Sequence, residues 1–148
     1  MAFNIPTRIK HLIAKCGTAD PLVIAQMYGI IVHFEDTPQT INGFWFRMLK
    51  RKFIICNHSL EHWQKQAVVA HELGHILLHP HYRHYSSGNS CYACTRHENE
   101  ANAFASELLH HLDIDPVFTL AFLEEGWKHN KKSRPKMSDY PTDWNGNI

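Results

Sequence analysis

The sequence predicts an α+β fold: N-terminal helices, a small three-stranded antiparallel sheet, then a metal-bearing helix packed against a second ligand-bearing helix. Three observations carry this. Runs rich in β-branched and aromatic residues fall together between Ile30 and Cys56. Segments with apolar residues at helical spacing stand on both sides of them. A long apolar stretch reaching Leu78 is followed by another strong helical pattern from Glu98 to His111, so two helices are set to pack together.

The first helix is expected over Thr7–Cys16, where Ile9, Leu12 and Ile13 share a face and Gly17 can stop the chain. Asp20-Pro21 reads as an N-cap followed by proline at the first helical position, opening a helix from Leu22 to Tyr28 that ends at Gly29. Ile30–Phe34, Ile41–Arg47 and Lys52–Cys56 read as strands, with turn signals at Pro38, Asn42-Gly43 and Lys50-Arg51. Asn57 or Ser59 can cap the next helix, from about Leu60 to Leu78 or His79, with Pro80 as its stop. Residues 80–96 have no clear period and read as a loop. Asp115-Pro116 starts a last helix that Gly126 is expected to end. Residues 1–126 thus form one domain, and 127–148 a basic, partly flexible tail.

Composition excludes several classes. The chain has 148 residues, 44% hydrophobic and 20% charged, as a globular domain does. A net charge of +1 gives no general electrostatic case for nucleic acid or membrane, although residues 127–148 alone carry +3. No apolar run approaches the length needed to cross a bilayer. The start lacks the pattern of a secretory signal, and four cysteines do not suggest a disulfide framework, so a reducing cytoplasm is the expected location. Of thirteen histidines, nine lie between His62 and His111, which directs attention to the middle of the chain.

There, His71-Glu72-Leu73-Gly74-His75 places HExxH inside an apolar helix. Four residues advance the helix by about 400°, so the two imidazoles project within about 40° of each other, one turn apart. Two such side chains can hold one zinc ion. Glu72, beside the first ligand, is placed to take a proton from water as that water attacks a carbonyl. The flanking Ala67-Val68-Val69-Ala70 and Ile76-Leu77-Leu78 hold the helix by packing. The five-residue pattern alone also arises by chance.

Catalytic zinc takes three protein ligands. His81 follows the second histidine at a spacing used by some metalloproteases, but Leu78 stands where such chains need a glycine to turn back. A carboxylate from the 98–111 helix is the better source. Glu98 stands four residues before Asn102, on one face, where Asn102 can hydrogen-bond the outer nitrogen of a ligand histidine. Glu100 points elsewhere and remains the alternative ligand. Separately, Cys91, Cys94 and His97 have the spacing of half a structural zinc site, a possible home for a second ion; the plain alternative is two incidental loop cysteines.

The stretches AHELGHILLH (70–79) and ENEANAFASELL (98–109) resemble the ImmA/IrrE family of zinc metallopeptidases from bacteria and their mobile elements. The helix ending Tyr28-Gly29-Ile30 and the short sheet before HExxH agree with it, and the resemblance covers roughly residues 5–125. It implies a zincin-like fold and a gluzincin-type site, with the glutamate ligand at Glu98 or Glu100, the former favoured. It also implies a substrate: a helix-turn-helix repressor, cut to relieve repression, with no direct nucleic-acid contact. The Cys/His-rich segment 80–96 and the short chain after residue 126 depart from the family pattern.

The expected function is therefore a zinc-dependent endopeptidase with His71, His75 and Glu98 on the metal and Glu72 as general base. The alternative is a non-proteolytic, zinc-stabilised module that sequesters a regulatory partner. An intact Glu72 disfavours it, because a structural site needs no base. A DNA-binding regulator is disfavoured because the strand-like run after Gly29 is no recognition helix. Trp45 and Phe46 suit either a substrate-lining strand or the core.

Overall fold

The structure is a computed structural model that describes residues 4–37, 41–80 and 91–130, with side chains left undescribed at 91–94 and 127–130. Five helices and three strands follow in the order α1 (Ile5–Cys16), α2 (Pro21–Met27), β1 (Ile31–Glu35), β2 (Gly43–Met48), β3 (Arg51–Asn57), α3 (His62–Leu78), α4 (Cys91–His110) and α5 (Pro116–Asn130). The α+β class holds.

Local chemistry sets the boundaries. The Asn4 side chain accepts from the Thr7 N–H to open α1, and Gly17, at a left-handed φ of 75°, closes it by donating to the Ile13 carbonyl. Asp20 caps α2 through the Leu22 N–H. At α3 the cap is Glu61, in a reciprocal box with Gln64, and not Asn57 or Ser59. Asn57 is engaged elsewhere, accepting from the Ser59 N–H.

The sheet is mixed, which corrects the antiparallel expectation. Its order is β1-β3-β2, with β1 parallel to β3 and β2 antiparallel to β3. The reason lies in β3, where Phe53-Ile54-Ile55-Cys56 are all buried. A strand that is apolar on both faces belongs in the middle, and that inserts β3 between the two strands that precede it. Phe53 and Ile55 join Phe44, Phe46 and Ile41 on one face; Ile54, Cys56 and Trp45 join the helical core on the other. Trp45 and Phe46 are therefore both core residues.

Two further expectations are corrected. Helix α4 begins at Cys91, so the Cys91/Cys94 pair stands in its first turn and not in a loop. Helix α5 continues through Gly126 to Asn130. Gly126 is a point of close approach: a Cβ there would lie 2.7 Å from Asn42 Nδ2. His81 and the tail beyond residue 130 lie outside the described residues. Among the described residues, no helix is long and apolar enough to cross a membrane.

Helices α3 and α4 form the centre of the molecule. Phe104, Ala105, Leu108 and Leu109 of α4 share one core with Val69, Leu73 and Ile76 of α3. Gly74, the second variable position of HExxH, makes the approach possible. A Cβ there would meet Phe104 Cβ and Cδ1 at 3.1 Å. Glycine costs a helix interior about 1 kcal/mol relative to alanine, so its presence reflects this contact. Gly74→Val is expected to lower unfolding free energy by about 1–3 kcal/mol through overpacking. It should also weaken metal binding, because α4 must shift away from α3; denaturant melts and metal titration check both.

Candidate metal centre

The site forms where α4 crosses the α3 face that carries His71 and His75. The apolar residues on both sides of HExxH pin α3 between the sheet and α4, and all five motif residues are buried. On α4, Glu98 lies on the face that also carries buried Ala101, Asn102 and Ala105, and it is only 3% exposed. Periodicity thus delivers a carboxylate to the imidazoles through the same packing that builds the core.

Three atoms converge. His71 Nε2 lies 2.9 Å from Glu98 Oε2, and His75 Nε2 lies 3.1 Å from Glu98 Oε1. The two Nε2 atoms are 3.2 Å apart. Ligands on a tetrahedral zinc at about 2.1 Å stand about 3.4 Å from each other, so the triangle is within about half an ångström of that needed. Among the described residues, these three form the one group of His, Cys, Asp and Glu able to hold a metal ion. Two imidazole nitrogens and a carboxylate suit zinc and accept other divalent ions.

The electrostatics fit a cation. Burial by itself raises the Glu98 carboxyl pKa, but the two imidazoles against it prevail and hold it well below the ordinary range. Burial lowers the pKa of His71, yet the Glu98 carboxylate, Glu72 and a side-chain hydrogen bond with Asn102 outweigh it and bring it to about 9. Asn102 is itself buried. Without metal, then, a proton on His71 balances the buried carboxylate.

A metal ion bound by these side chains would have to displace that proton. Loading at neutral pH is expected to release it, and affinity should tighten as pH rises toward about 9. Calorimetry in buffers of different ionisation enthalpy reads the proton directly. The same raised pKa stabilises the metal-free chain fully below about 6.5, a contribution lost as pH rises through about 9.

Glu72 is 5% exposed and sits next in sequence to His71. Its carboxylate also faces Cys56 of β3: burial chiefly, and then Glu72, push that thiol up to about 12. Cys56 is thus an inert core thiol. Glu100 is placed apart from the imidazoles, with Oε1 3.3 Å from Arg96 Nε. The Cys91 and Cys94 side chains are outside the described residues. His97 is described, and its ring stacks on His79 with centroids 3.8 Å apart. His79 extends the His71/His75 stripe by one more turn, a spacing legible in the sequence but not singled out from it. Its ring lies 6.2 Å from that of His75. Burial, then the neighbouring His97 and His75, lower its pKa to about 4, so it is neutral beside the site.

Comparison with known proteins agrees with this geometry. The model of the IrrE N-terminal-like domain matches residues 25–111, a span that contains the sheet, α3 and the whole of α4. A protein of Bacillus phage phi105, named uncharacterized immunity region protein 2, is 32% identical over 106 residues, which cover 71% of this chain and 67% of the phage protein. No solved structure matches. With that domain spanning more than half its length and all three converging side chains, the chain belongs to the ImmA/IrrE peptidase family.

Proposed function

We propose that this protein is a zinc-dependent endopeptidase that cuts a helix-turn-helix repressor at one bond and so relieves repression. The observation that carries the reading is the buried His71–His75–Glu98 triangle with Glu72 beside it. A purely structural site has no use for that fourth, acidic side chain. Bound between the three ligands, zinc would polarise a peptide carbonyl and acidify water. Glu72 would take the proton of the attacking water and pass it to the leaving amine. Glu98, held anionic by the imidazoles, would keep both rings oriented.

Two further observations support the substrate class. Strand β2 has no neighbour on its outer side among the described residues, so an extended peptide can add there as a further strand. The phage relative is named for an immunity region, which agrees with a role in phage regulation. The test is incubation of the native, zinc-loaded protein with the helix-turn-helix repressor encoded nearest to it, read by intact mass. A single cut that requires Glu72 is the expected outcome. An uncut repressor that is nevertheless retained on the protein would replace this reading with sequestration.

A further inference from the structure

Glu98 reaches the imidazoles from the first half of α4, and the apolar packing that fixes this helix lies on one side of it. Among the described residues, its buried apolar side chains, Ala101, Phe104, Ala105, Leu108 and Leu109, all follow Glu98. Before Glu98, the described Thr95 and Arg96 side chains are exposed, and only His97 is partly buried. The His97 ring lies on that of His79, with centroids 3.8 Å apart and planes inclined by 23°. His79 is 8% exposed and is fixed where α3 ends. Its N–H donates to the His75 carbonyl at 2.9 Å, and the next carbonyl, that of Pro80, accepts from Arg47 of β2 at 3.2 Å.

We propose that the stacked rings of His79 and His97 are a positioning clasp for the metal centre, setting where Glu98 stands relative to His75. Each ring is one link away from a metal-binding residue. His97 precedes Glu98 in the chain, and the His79 amide is held by the carbonyl of His75. A helix pinned only beyond Glu98 can pivot at its entry, and Glu98 lies toward the end that moves. Stacked flat rings oppose that pivot, and they attract without a charge on either. The same geometry argues against a second metal ion held between them. Imidazole binds a metal through a lone pair in the ring plane, and two nearly parallel planes do not converge on one ion at about 2.1 Å. Neither ring belongs to the metal-binding group of the described residues. The inference rests on the metal centre at His71, His75 and Glu98, and the test scores the two separately.

The native protein, His97→Ala and His97→Phe are compared as full chains. Zinc content after dialysis scores the metal centre, and zinc affinity by chelator competition scores the clasp. His97→Ala should fold, since alanine favours a helix. It should bind zinc about tenfold more weakly, the scale found when a group that orients a ligand is removed. His97→Phe supplies a flat ring without a nitrogen and should recover most of that loss. With cobalt in place of zinc, the visible absorption bands should change in His97→Ala and return toward the native bands in His97→Phe. A general loss of stability would not move those bands. Native affinity or native cobalt bands in His97→Ala overturn the proposal. So does a His97→Phe variant as weak as His97→Ala, or a native chain with two ions that falls to one in both variants, because His97 would then act through its nitrogen. A native chain that holds no metal removes the centre itself, and the clasp with it.

Discussion

Glu72→Gln is expected to keep the fold and one metal per chain while losing turnover by about 10³-fold or more. Glutamine has nearly the same shape, so the packing around this buried position is preserved. It cannot accept a proton, and it has no formal charge to support the His71 imidazolium. The loss should therefore fall on the chemical step and leave substrate binding largely intact. Single-turnover cleavage, metal content after dialysis and thermal melting separate these effects. A variant that retained full activity would remove Glu72 from the mechanism.

Glu98→Ala should have the largest effect on metal. Removing an outer-sphere partner typically costs 10- to 100-fold in affinity, and loss of a direct ligand exceeds that. It should also destabilise the metal-free chain by about 3 kcal/mol, because two buried imidazoles lose the carboxylate between them. Glu100→Ala is the control. Glu100 pairs with the exposed Arg96 and stands outside the His71–His75–Glu98 group, so its loss should leave metal binding unchanged. Equal metal loss in both variants would remove Glu98 from the ligand set.

Much of this was legible in the sequence because one rule served both packing and chemistry. The four-residue spacing of His71 and His75 belongs to the same helical face logic that buried Leu73 and Ile76 around them. Glu98 was distinguishable from Glu100 for the same reason, since it shares a face with Asn102 and the core alanines. What escaped depended on contacts between distant parts of the chain. Strand pairing is one such case, because Ile31–Glu35 reads the same whether its neighbour runs with it or against it. The start of α4 is another: Cys91–Arg96 has no apolar stripe, so periodicity is silent where the helix begins. Gly126 looked like a stop because glycine often is one. The helix runs on through it to Asn130, because one glycine costs an otherwise packed helix only about 1 kcal/mol.

The central position of β3 has a kinetic consequence. The β2–β3 hairpin closes through Leu49 and Lys50, both at positive φ, and needs to bring together residues only three apart, Met48 and Arg51. The β1–β3 ladder instead joins Ile31 to Phe53 across the whole intervening hairpin. Chain closure over the longer span is slower. The hairpin should therefore form early and offer β1 a prepared edge, with β1 arriving as a late event. Substitutions in the hairpin would then slow refolding, whereas those in β1 would mainly speed unfolding. Helix α3 leaves directly from β3, so the histidines enter the structure on the early-forming half of the molecule.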